Sequence, residues 1–178
     1  MSSPPEIGGD RIDTQGYPRV APTNASGWQG GDMETTPLLI VDAANVVGSR
    51  PDGWWRDRVG ATTRLRDRLV PVGGRGVPPE LPAPAEVVLV VEGVARDVPA
   101  TEGVRVVSAA GSGDDAIVEL VGAETGRRRL VVTADRVLRE RVRALGAEVY
   151  GPRWLRGERD TPGRAPAVPG SPDPTRPA

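Results

Sequence analysis

Leu38, Leu39, Ile40 and Val41 form an unbroken apolar run that stops at a carboxylate, Asp42. A run without polar alternation reads as a strand covered on both faces, as in parallel sheets. Similar short runs return at 87–91, 104–107, 130–132 and 147–150. Segments with helical spacing lie between them. Over 54–69, Trp55, Val59, Thr62, Leu65 and Leu69 recur at the period of an amphipathic helix. Ile117, Leu120 and Val121 share one face of a helix that opens at Asp114-Asp115 and ends at Gly126, and Ser112 with Asp115 resembles a capping box at its start. Leu138, Val142 and Leu145 mark a further helix closed by Gly146. Residues 71–85, rich in Gly and Pro, are expected to be a long surface loop, and 152–155 a single closing turn. Strands alternating with helices that each bury one stripe predict an α/β domain, a three-layer α/β/α arrangement around a mostly parallel five-stranded sheet.

That pattern occupies only the middle of the 178 residues. Residues 1–36 are Ser, Pro, Gly, Asp and Thr with scattered apolar positions and no period, and 157–178 carry six prolines, so both are expected to be disordered tails around a domain at 37–156. Trp28 is the one bulky residue near the end of the first tail and a candidate anchor to the domain. The domain holds 18 Arg and 16 acids beside a first tail with 2 Arg and 5 acids, a balance that permits a nucleic-acid partner. The start, Met1-Ser2-Ser3-Pro4-Pro5-Glu6, has neither a basic region nor an apolar one. Apolar runs stay far below the roughly 20 residues of a membrane span. A cytoplasmic protein without membrane contact is the expectation, and oligomeric state is left open.

What the chain lacks restricts its chemistry. It has no His and no Cys, and all 23 basic residues are Arg. A Ser-His-Asp relay, a thiolate nucleophile, a Schiff-base lysine and the usual zinc ligands are therefore excluded. The carboxylates are the groups left to hold a metal, and oxygen ligation suits Mg²⁺ or Mn²⁺. Asp42 and Glu92 directly follow the first two expected strands, Asp114 and Asp115 open the helix after the third, and Asp135 follows the fourth. In a parallel sheet these positions share the carboxyl edge, where ligands collect. Each acid also has a structural alternative: Asp114 and Asp115 complement a helix dipole, Asp135 serves as an N-cap, and Glu92 is a solvated loop residue. Capping does not predict their placement together.

Asp42-Ala43-Ala44-Asn45 after an apolar strand, Gly113-Asp114-Asp115-Ala116-Ile117 opening a helix, and Thr133-Ala134-Asp135 after a later strand resemble the PIN-like nucleases, in particular NYN domains of the YacP-like branch. The resemblance spans about residues 37–155. It implies strand order 3-2-1-4-5 and cleavage of RNA with Mg²⁺ or Mn²⁺ held by the acidic cluster. Carried over by position, Asp42 matches the first-strand aspartate, Asn45 the asparagine three residues on, Asp114 or Asp115 the helix-start aspartate, and Asp135 the aspartate of the Thr-x-Asp element. Where many relatives have Asp-Gly-Tyr-Asn, this chain has Ala43 and Ala44. Its second-strand acid is Glu92 rather than Asp.

The implied activity is a metal-dependent endoribonuclease, with Asp42, Asp114, Asp115 and Asp135 as catalytic and metal-binding residues and Glu92 as a further ligand. The implied partner is RNA, single-stranded or structured, ribosome-associated RNA included. Asn45 orients Asp42, meets a phosphate oxygen or caps the next turn. Ser49, Arg50, Trp54, Arg56 and Thr133 are candidates for substrate contact. Adjacent tryptophans project to different sides of a helix, so one of Trp54 and Trp55 is expected to pack and the other to be free to stack on a base. The alternative is that both pack and the nearby arginines pair with Asp52, Asp57 and Asp67. Arg127-Arg128-Arg129 is expected to be a solvated turn at the far edge. Two other activities use the same fold or acids: an RNA-binding or regulatory module with a degraded site, and a nucleotide (NTP) phosphohydrolase.

Overall fold

The computed structural model describes residues 36–158. Nearly all of both expected tails, Trp28 included, lies outside the described residues. The chain runs β1 (Leu38–Asp42), α1 (Ala43–Gly48), α2 (Arg58–Arg75), β2 (Glu86–Val91), β3 (Arg105–Ser108), α3 (Gly113–Ala123), β4 (Arg129–Val132), α4 (Arg136–Ala144) and β5 (Glu148–Tyr150), with 3-10 turns at Trp54–Arg56, Gly93–Ala95 and Trp154–Arg156. The strands form one sheet in the order β3-β2-β1-β4-β5, and every pairing is parallel. This is the α/β architecture and strand order expected from the sequence.

Alternation within each strand divides the interior in two. Leu39 and Val41 of β1, with Val87, Leu89 and Val91 of β2, pack against Val46 and Val47 of α1 and Leu65 and Leu69 of α2. Leu38 and Ile40, with Val88 and Val90, face Ile117 and Val121 of α3 and Leu138 and Val142 of α4. Burying each such side chain contributes about 1.5–3 kcal/mol relative to exposure, so both faces of the central strands require apolar residues. That is why β1 and β2 read as continuous runs.

The structure departs from the expected boundaries at several points. A helix over 54–69 is replaced by a 3-10 turn followed by α2, whose start is set by Asp57 accepting a hydrogen bond from the Gly60 amide at 2.8 Å. The expected surface loop from 71 is helical as far as Arg75, with Pro71 on the exposed side of α2. Gly73 lets the end of this helix approach β2, since a Cβ there would stand 3.0 Å from the Ala85 carbonyl oxygen. The rest of the segment is tied inward: Val77 and Leu81 exchange two backbone hydrogen bonds, and Leu81 is fully buried. The arginine run is also not a solvated turn. The Arg127 side chain is 6% exposed and bridges Glu86 at 2.7 Å and Glu124 at 3.0 Å. Arg128 pairs with Glu148, and Arg129 donates to the Val121 carbonyl, which anchors β4 to its neighbours.

Candidate active site

Asp42 is the last residue of β1 and the N-cap of α1, so one residue ends a strand and starts a helix. It is 5% exposed, and three donors hold its carboxylate: the Asn45 amide N–H on Oδ1 at 3.1 Å, and Asn45 Nδ2 and Thr133 Oγ1 on Oδ2 at 2.7 and 2.8 Å. Burial pushes the Asp42 carboxyl above its ordinary range, against the lowering effect of these donors, and the charge of Glu92 adds to the rise. Asn45 thus takes the orienting role among those open to it.

Thr133 joins the two halves of the edge. It is fully buried, donates to Asp42 and accepts a hydrogen bond from the Asp135 amide at 3.1 Å. Its full burial leaves no surface for the substrate contact expected from its place beside Asp135. Asp135 caps α4, its Oδ1 accepting from the Leu138 amide at 2.7 Å. Oδ2 accepts no hydrogen bond among the described residues.

The two adjacent aspartates separate. Asp114 is partly buried, and its carboxyl is raised first by burial, then by the charges of Asp42, Asp135 and Glu92. Its basicity therefore registers three acids on the same edge. Asp115 points elsewhere: its side chain is 70% exposed and pairs with Arg141 at 2.7 Å. The structure brings Asp114, not Asp115, to the cluster. Glu92 places Oε2 on the Gly113 amide at 2.6 Å and so caps α3. The Ser112 side chain, expected to cap this helix, makes no such bond.

Among the described residues, no three carboxylates stand close enough together to grip one cation directly. The expected convergence of Asp42, Asp135 and a helix-start aspartate on a single ion is corrected to that extent. The physical reason is visible in the bonding: Asp42, Asp135 and Glu92 each commit at least one oxygen to orienting backbone or side chains nearby. A cage of protein ligands is not what Mg²⁺ requires, since it retains several waters and is held through one or two carboxylates together with substrate phosphates. The donor set fits such a hydrated ion: all oxygen, partly desolvated, mutually repulsive, with Asp114 and Asp135 Oδ2 uncommitted.

The other candidates lie to one side. Ser49 Oγ donates to the Val46 carbonyl at 2.7 Å at the end of α1. Arg50 faces α2. Trp54 is half-buried against the interior, with the Arg58 guanidinium 5.3 Å from its ring centre, and Trp55 meets it edge-on at 6.3 Å. Trp55 is 55% exposed, so the tryptophan free to stack is Trp55 and not Trp54. Arg56 is exposed, whereas Arg64 and Arg66 pair with Asp57 and Asp67. Sequence reasoning named both tryptophans and settled on Trp54 for want of a helical phase, because the turn there is 3-10.

No protein-family model matches the chain, and no curated protein matches it. Solved structures do. The crystal structure of Rae1 (YacP) from Bacillus subtilis superposes with a TM-score of 0.55 at 19% identity, over 67% of this chain and 71% of that one. The crystal structure of a single-substitution mutant of the same protein gives 0.52 at 18% identity, over 67% and 72%. The five-stranded sheet therefore has the fold of Rae1 (YacP).

Proposed function

We propose that this chain is a metal-dependent ribonuclease that hydrolyses RNA phosphodiester bonds at the carboxyl edge of its sheet. One observation carries the reading. Asp42 is buried at the end of β1 with its orientation fixed by Asn45 and Thr133, and burial together with neighbouring acids holds it and Asp114 above the ordinary carboxylate range. Ionising carboxyls held partly out of water beside other acids is costly, and a divalent cation offsets that cost. The YacP fold agrees with this use of the edge.

Asp42, Asp114 and Asp135 would hold Mg²⁺ or Mn²⁺. The bound ion would neutralise charge on the phosphoryl oxygens and lower the pKa of water. Asn45 and Thr133 keep Asp42 in one rotamer, with two donors on Oδ2 and one on Oδ1, which leaves Oδ1 the oxygen able to take a further ligand. Hydrolysis joins a water oxygen to phosphorus and releases a ribose oxygen. Without His, Cys or Lys, the departing oxygen takes its proton from solvent.

The test is cleavage of single-stranded RNA with Mn²⁺ or Mg²⁺, run against EDTA. Asp42→Asn and Asp135→Asn are each expected to lower the rate about 100-fold or more, the loss of an electrostatic contact made in the transition state, and Asp115→Asn to leave it nearly unchanged. Full activity in Asp42→Asn overturns the site. A second reading, an RNA-binding module of the same fold, draws on the lack of three gripping carboxylates among the described residues. RNA binding without turnover would support it, and pyrophosphate release from free NTPs would point instead to a nucleotide hydrolase.

A further inference from the structure

Arg50, just past α1, Arg68 of α2 and Arg156 of the closing 3-10 turn line one cleft, whose apolar floor includes Val46, Leu65 and Leu69. An adjoining depression shares Arg50 and Arg68, adds Arg64 and contains a single acid, Asp52. Elsewhere this chain pairs its arginines readily, as at Arg66, Arg105, Arg127, Arg128 and Arg141. Arg156 pairs with Glu158 at 2.7 Å, a residue outside the cleft lining. Arg50 and Arg68 form no ion pair and donate no side-chain hydrogen bond among the described residues. Burial and the charges of Arg50, Arg64 and Arg156 lower the Arg68 pKa, and Asp52 only partly opposes them. Arg50 and Arg68, set over an apolar floor with no ion pair of their own, are relieved by an anion that bridges them. Arginine's fork matches phosphate oxygens two at a time.

Asp42 caps the start of α1, and Arg50 lies just beyond its end, eight residues on, a rise of about 12 Å at helical spacing. A strand of RNA reaching the carboxylate edge is long enough to lay a second phosphate in this cleft. We propose that the Arg50–Arg68–Arg156 cleft is a phosphate-binding exosite for the RNA backbone, holding the strand beside the carboxylate edge. The choice of RNA rests on the ribonuclease reading, and the cleft itself rests on its own residues.

The experiment measures binding of a fluorescent single-stranded RNA by anisotropy in EDTA, over a salt series, so that no cleavage is needed. Arg50→Gln with Arg68→Gln is expected to weaken binding about 10-fold or more. Loss of two phosphate contacts also makes the slope of log K against log salt shallower by about 1.4. Arg128→Gln with Arg143→Gln removes the same charge from other faces and is expected to change neither. Arg68→Lys preserves charge and is expected to retain the slope while losing affinity, which keeps the test informative if the double variant folds poorly. Unchanged binding in the double variant, or equal loss in the control pair, overturns the exosite. So does loss of inorganic phosphate binding with RNA affinity intact, which would assign the cleft to a small anion. Failure of the ribonuclease reading appears separately, as RNA bound normally and never cut.

Discussion

Thr133 controls two acids through one hydroxyl. Its hydrogen goes to Asp42 Oδ2 and its oxygen accepts the Asp135 amide, all without exposure to solvent. Thr133→Val keeps the shape and removes both bonds. The amide of Asp135 loses its partner, and Asp42 loses one of its three donors, at an expected cost of about 1–3 kcal/mol in stability. Outer partners of metal-holding carboxylates typically change affinity by about 10–100-fold, and a loss in that range is expected for Mn²⁺. Calorimetric titration and thermal melts check both, and Thr133→Ser should recover most of each. Equal Mn²⁺ affinity in Thr133→Val would show that Asp42 does not need this contact. The residue types at the edge were legible from the sequence because carboxylates ending apolar strands are uncommon. Which ones face inward was not, since Asp114 and Asp115 differ only by their angle around α3.

At the scale of elements, Glu92 acts between β2 and α3. Its Oε2 accepts the Gly113 amide, a free donor at the helix start, in a helix that the Ser112 side chain leaves uncapped. A cap of this kind contributes about 0.5–2 kcal/mol. Glu92→Ala is expected to lower stability by that amount, read from urea unfolding. Glu92→Gln, which can still accept the bond, should cost less and leave cleavage nearly intact. Abolished cleavage with full stability in Glu92→Gln would instead make Glu92 a direct ligand. The strands could be read from the sequence because burial on both faces removes polar alternation. The end of α2 could not, because proline's local preference was outweighed by packing: Gly73 fits against β2 and Leu81 is drawn inside. The arginine cleft was equally hidden, since it forms only when the turn after the last strand returns Arg156 to α2.

For the whole molecule, the acids set an opposition between stability and binding. Asp42 and Asp114 keep their protons to higher pH folded than unfolded, so the native state binds more protons and their contribution to stability falls as pH rises from the ordinary carboxylate range through the raised values. In EDTA, Asp114→Asn is therefore expected to melt with the unchanged chain near pH 4 and above it near pH 7. Divalent cations reverse the order. At about 100 times its Kd, Mn²⁺ adds about 2.7 kcal/mol, roughly 10 °C in Tm for a domain of this size, and Asp114→Asn should lose most of that gain. Because the ion must displace those protons, its affinity is expected to rise with pH and level off once both carboxyls are ionised. A Tm indifferent to Mn²⁺ near neutral pH would remove the cation from this edge. Among the described residues no helix is long and apolar enough to cross a membrane.

The bond between Glu92 and Gly113 also changes what the connection at 110–112 has to do. Since the first turn of α3 is moored directly to the end of β2, that exposed connection is a tether rather than a strut. Its length and composition are free to drift, or to be extended by insertion, while Asp114 stays where the sheet has put it.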